Sequence, residues 1–148
     1  MIDKNKLFNL FSDDNPKDEA NKKDLIKLAK KIEIDIILPI NKLGMFVKLI
    51  INHLVFHQKL KMFLEKENSQ VLDFEETKEA ASFAVYSRAW YYIKGIDLKN
   101  KEHCKAVMDY KSGPLVQTLE EAILYFEETE EYEKCAFLHN IKQLKKKS

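Results

Sequence analysis

The sequence predicts an all-α protein, a compact bundle of about five to seven helices ending in an antiparallel helical hairpin. Three observations predict it. From Pro16 onward, apolar residues recur every third or fourth position, the period of one helix face. Only 3 Gly and 3 Pro occur in 148 residues, too few for the many tight turns a sheet protein needs. Hydrophobic residues make up 45% and charged residues 33%, enough for one core beneath a well-solvated helical surface.

Residues 1–15 read as a short leader and residues 16–148 as a single helical domain. In the leader, Leu7, Phe8, Leu10 and Phe11 suit one amphipathic turn, broken by Ser12, Asp13, Asp14 and Asn15. Asn15 followed by Pro16 is a helix start, because Asn caps and Pro is tolerated at the first helical position. Leu25, Leu28, Ala29 and Ile32 then form the stripe of a half-buried helix. Residues 32–40 combine a strand-like alternation of Ile32, Ile34 and Ile36 with Pro39. They read as a helix end plus an extended connector, with a lone strand as the alternative.

Residues 43–67 give the longest apolar helix, with Phe46, Leu49, Ile50, His53, Phe56, His57, Leu60, Phe63 and Leu64 on one broad face. Such a helix belongs at the centre of a bundle. Asp73, with Glu76 three residues on, caps the next helix, which runs to Lys94 with Gly95 as a left-handed stop. Asn100 starts a short helix through Tyr110, ended by Ser112, Gly113 and Pro114. Leu115, Leu119, Ala122, Ile123 and Phe126 form the next stripe. After an acidic turn, Tyr132, Cys135, Ala136, Leu138, Ile141 and Leu144 form the last, and the two make a hairpin.

The net charge is +1, so no overall basic field draws the chain to nucleic acid or a membrane. The basic excess at the end, Lys142, Lys145, Lys146 and Lys147, reads as a solvated tail. Two cysteines do not make a disulfide framework. The N-terminus has no apolar signal core, and no uncharged stretch is long enough to span a bilayer. The expectation is a cytoplasmic protein with no membrane partner.

Four constellations bear on chemistry. His53 and His57, His103 and Cys104, and Cys135 and His139 are paired candidate metal ligands, but a zinc site needs three or four ligands converging, and neither CxxC nor HExxH is present. Cys135 with a histidine is a formal nucleophile pair, yet it lies mid-helix beside Ala136, the setting of a small buried thiol. Glu120, Glu121, Glu127, Glu128, Glu130, Glu131 and Glu133 read as a solvated face, or as a docking surface for a basic partner. Tyr86, Arg88, Trp90, Tyr91, Tyr92 and Lys94 share one helix. At 100° per residue, Trp90, Tyr91 and Tyr92 cannot all face one core, so at least one ring should reach the surface. With no GxxxxGK[ST] or GxGxxG either, no cofactor is expected.

The run Leu119, Glu120, Glu121, Ala122, Phe126, Glu127, then Tyr132 to Leu138, Ile141 and Leu144 resembles the UVR motif, the C-terminal helical hairpin of excision-repair proteins and some protease adaptors. Cys135 stands where that family usually has Ala, and His139 near its usual Arg. The resemblance covers the last quarter of the chain and implies a protein-interaction role. The sequence therefore points first to a non-catalytic interaction or adaptor protein, binding another protein or itself. Its candidate contacts are Tyr86, Arg88, Trp90, Tyr91, Tyr92, Phe126, Tyr132, Leu138 and Ile141. The alternative is a nucleic-acid accessory protein using Arg88, Lys94, Lys99, Lys101, Lys145, Lys146 and Lys147. The third reading is a small metal-binding protein using His53, His57, His103, Cys104, Cys135 and His139.

Overall fold

A computed structural model describes residues 16–67 and 74–147. Among them are six helices and no strand: α1 (Pro16–Ile37), α2 (Pro39–Lys66), α3 (Phe74–Ile93), α4 (Lys101–Asp109), α5 (Ser112–Glu128) and α6 (Tyr132–Lys146). The class is all-α, as the apolar period predicts. The leader at 1–15 and the Asp73 cap lie outside the described residues. The chain divides into two units, Met1–Ile37 and Leu38–Ser148.

In the first unit, α1 begins at Pro16, as the Asn15–Pro16 pair predicts. Its stripe is not half-buried. Leu25 is 64% exposed, Leu28 53% and Ile32 49%. The expected connector over 32–40 is also corrected. The backbone stays helical to Ile37, and Leu38 alone is extended (φ −60°, ψ 136°) before α2 starts at Pro39. Pro39 explains the break, because its ring forces the preceding residue out of helical geometry while its own fixed φ suits a first turn.

In the second unit, α2 packs on α3, α4 and α5; α5 packs on α6, and α6 on α4. The core draws Leu43, Phe46, Val47 and Ile50 from α2; Tyr86, Ala89 and Ile93 from α3; and Val107 from α4. Leu115, Leu119, Ala122 and Phe126 of α5, with Leu138 and Ile141 of α6, complete it. Ala89 and Ala122, both essentially unexposed, let neighbouring backbones approach. The expected apolar face of α2 holds only through its first half and His57. Phe56 and Phe63 are 61% and 58% exposed.

The connections follow from particular residues. Asn100 caps α4 as predicted, its Oδ1 accepting from the Glu102 N–H at 2.9 Å. Ser112, Gly113 and Pro114 form the first turn of α5 rather than a separate breaker. Gly95 is not a left-handed stop, since no described glycine has positive φ. A Cβ there would meet the Lys42 Nζ at 2.5 Å, so glycine gives the lysine room. The left-handed cap falls at Glu130 (φ 60°), where the Glu131 N–H donates to the Phe126 carbonyl at 2.8 Å and the Glu130 N–H to the Glu127 carbonyl at 3.1 Å. This 6→1, 5→2 pattern closes α5 and turns the chain back into α6.

Candidate functional site

Helix α3 distributes its aromatic run as the 100° step requires. Tyr92 is buried and Trp90 half-buried, while Tyr91 is 55% exposed. Arg88, one turn before Tyr92 and three residues before Tyr91, reaches both rings. Its guanidinium carbon lies 4.9 Å from the Tyr91 ring centre and 5.2 Å from that of Tyr92, and its Nη2 donates to the Tyr92 hydroxyl at 3.4 Å. The Lys94 Nζ lies 5.3 Å from the Tyr91 ring centre. Tyr91 and Tyr92 meet edge to face at 5.4 Å. The exposed ring is therefore held in place by two cations and a neighbouring ring.

Trp90 and Tyr86 of the same run face inward. Trp90 packs on Phe137 at 5.3 Å and on Phe126 at 6.0 Å, joining α3 to the hairpin. The Lys134 Nζ sits over both Trp90 and Phe126 while bonding the Glu131 carboxylate at 2.7 Å. Sequence reasoning missed Lys134; its signal was the Glu131–Lys134 spacing of three at a helix start. Tyr86 stacks on Tyr125 at 4.3 Å with rings 11° from parallel. Burial, then Glu121, Tyr125 and Glu128, pushes the Tyr86 hydroxyl up to about 12, so it stays neutral.

The candidate partner residues thus divide. Arg88, Tyr91 and Tyr132 are exposed. Tyr86, Tyr92, Phe126, Leu138 and Ile141 are buried in the unit's own core and present no surface to a partner. Tyr86, Phe126, Leu138 and Ile141 hold helices together because they occupy the stripes that α3, α5 and α6 turn toward one another.

The nucleic-acid candidates lie on separate elements: Arg88 and Lys94 at α3, Lys99 and Lys101 at the start of α4, Lys146 and Lys147 at the end of α6. Lys145 is corrected outright as a tail residue. It is 4% exposed, and its ammonium donates to the carbonyls of Met108, at 2.6 Å, and Tyr110 at the end of α4. A lysine there satisfies carbonyls that have no helical partner and meets the negative end of the α4 dipole.

The metal candidates are satisfied locally, with one exception. His103 Nδ1 accepts from the Asp97 N–H at 2.9 Å, and the Cys104 thiol donates to the Leu98 carbonyl at 2.9 Å. The Cys135 thiol donates to the Ile123 carbonyl at 3.6 Å; burial and then Glu127 push it up, away from a reactive thiolate. His139 lies 3.1 Å from the Gln143 amide. His53 and His57 do meet, with ring centres 4.4 Å apart, and His53 Nε2 bonds the Ser82 hydroxyl at 3.0 Å. Both ring nitrogens of buried His57 lack a hydrogen-bond partner. Among the described residues no group of three or more His, Cys, Asp or Glu side chains is placed to hold a metal.

The acidic run is partly paired. Glu120 bonds Lys142 at 3.1 Å, and Glu131 receives bonds from Lys134 and Thr129 that hold its carboxyl below the ordinary range. Glu128 instead joins Glu75, Lys78, Glu79, Ser82 and Tyr125 around a shallow groove of about 530 Å³ between α3 and α5. No protein-family model, curated protein or solved structure matches the chain.

Proposed function

We propose that this chain is a non-catalytic interaction protein that binds a partner protein through the Arg88–Tyr91–Lys94 face of α3. One observation carries the reading: an exposed tyrosine is fixed between an arginine and a lysine on a helix whose other side is anchored in the core. Tyr and Arg are the residue types that concentrate binding energy at interfaces, and a ring already held in place loses little entropy on binding. The cations suit a partner surface rich in carboxylates. The resemblance of α5–α6 to the UVR hairpin supports an interaction role. With Phe126, Leu138 and Ile141 buried, that hairpin offers a partner its outer side, at Leu124 and Tyr132.

Affinity capture from the native host, with wild type beside Tyr91→Ala and Arg88→Ala, tests the reading. A partner retained by wild type and lost with both variants is the expected outcome. A captured set that ignores both substitutions would overturn it. Light scattering of the purified chain identifies self-association as the form of the interaction. The same cation-flanked ring also suits base stacking, which gives the second reading: retention of single-stranded oligonucleotides that falls steeply with salt and with Tyr91→Ala.

A further inference from the structure

Helix α2 carries five lysines against one acid, Glu65, with Glu67 following at its C-cap. Its side turned away from the core is built around Lys59. At 100° per residue, Val55, Phe56, Met62 and Phe63 stand within about 60° of that lysine, one turn before it and one turn after. All are exposed, Phe56 by 61% and Met62 by 63%. Lys48 and Lys66 lie within about 20° of Lys59 along the same line, and Glu65 about 120° away. Lysines inside an apolar face set a condition on whatever covers it. Apolar groups alone would bury those charges unpaired, so the cover must bring carboxylates to the same places.

Helix α5 has the inverse face. It holds four glutamates and no Lys or Arg. Leu124, 55% exposed, stands among Glu120, Glu121, Glu127 and Glu128, again one turn before and one turn after. The two patterns share a pitch. Lys59 and Lys66 are seven residues apart, about 10.5 Å along a helix, with Met62 and Phe63 between them. Glu120 and Glu127 have the same separation, as do Glu121 and Glu128, with Leu124 between them. Lys59, Met62, Phe63 and Lys66 outline the kind of hole that takes one knob in helix packing. Leu124 laid there sets glutamates beside each lysine. Glu120 already bonds Lys142 at 3.1 Å, so the new pairs fall to Glu121, Glu127 and Glu128.

We propose that the outer face of α2 binds the outer face of α5 in a second copy of this chain, with Leu124 seated between Lys59 and Lys66. Within one chain, α2 and α5 meet through their buried sides, so its own two outer faces do not meet. The contact joins unlike surfaces, and it therefore builds rings or open chains of copies. A pairing of two α2 faces would set lysines against lysines, which like-charge repulsion opposes. An anionic lipid surface suits lysines on the side opposite an apolar stripe, not within it. The surface differs from the Arg88–Tyr91–Lys94 face, and the inference does not rest on that reading.

Light scattering of the full chain and of two half-blocked variants tests it. Wild type should exceed the mass of one chain, more so as concentration rises, and fall back toward it as salt shortens the screening length. Lys59→Gln, Phe63→Gln and Lys66→Gln together block the α2 face. Leu124→Gln, Glu127→Gln and Glu128→Gln together block the α5 face. Each variant alone should remain a monomer. An equimolar mixture should form a one-to-one dimer, because each variant keeps the face the other lacks. All these positions are exposed, so the far-ultraviolet helical signal should persist in both. Tyr91→Ala should leave the association unchanged, which separates this contact from the α3 face. A wild type that stays monomeric up to about 1 mM would overturn the proposal. So would association that persists in either variant alone, a mixture of the two that remains monomeric, or loss of association with Tyr91→Ala.

Discussion

His53 and His57 stand one turn apart on α2 with their rings in contact, facing Lys78, Ser82 and Tyr86 of α3. Burial lowers the His53 pKa from its ordinary 6.5, and repulsion from His57 and Lys78 lowers it further. The unfolded chain therefore holds this proton more tightly than the folded one. Stability is complete above 6.5 and falls as the pH drops below it. Thermal melts followed by circular dichroism should show a flat limb above neutrality and a declining acid limb, which His53→Gln flattens. An acid limb unchanged by His53→Gln would refute this assignment. Lys145 makes the opposite argument, for a buried charge that is well placed. Its ammonium is the partner of two carbonyls at the end of α4, so Lys145→Ala strands both. The expected loss is about 2–3 kcal/mol of unfolding free energy, read from denaturant melts. A lysine free in solvent would lose almost nothing.

The turn between α5 and α6 shows how one backbone position sets the direction of a helix pair. Glu130 adopts φ 60°, a conformation that crowds its Cβ and that glycine takes up without that clash. The turn persists because the Glu131 and Glu130 amides bond back into α5, while Thr129 and Lys134 both bond the Glu131 carboxylate. Glu130→Gly should relieve the crowding and raise stability by up to about 1 kcal/mol, a small upward shift of the melting midpoint. A decrease would show that the Glu130 side chain contributes more than its backbone costs. Across the turn, the hairpin is fastened by Lys142 to Glu120 and by the contact of Cys135 with Ile123, and its apolar side is closed by Trp90 of α3. The aromatic helix and the hairpin are thus packed together through Trp90, Phe126 and Phe137.

The two units differ in what they bury. The unit from Leu38 has a core drawn from five helices, in which Phe46, Leu119, Phe126 and Ile141 are all essentially unexposed. A chain beginning at Leu38 should keep its helical signal and a single sharp thermal transition. A broad, gradual melt would show that its core is incomplete. The unit ending at Ile37 contributes α1, whose described side chains are exposed along their length. One unit supplies a packed core with Tyr91 exposed beside it on α3, and the other a helix whose described apolar side chains are exposed.

The all-α class, the starts of α1 and α4, the Asn100 cap and the appearance of one ring of the Trp90–Tyr92 run at the surface were legible from spacing, whereas the helical run over 32–37 and the helical turn at Ser112–Pro114 were not. The legible features depend on 3.6-residue periodicity and on hydrogen bonds between residues two to four apart, which a linear chain already encodes. Tertiary packing alone decided that Phe126, Leu138 and Ile141 face inward while Phe56 and Phe63 do not, and that Lys145 is buried. Lys145 finds its carbonyls 35 and 37 positions away. A lysine keeps its charge in water until a fold brings such acceptors to it, and no local pattern reports their arrival.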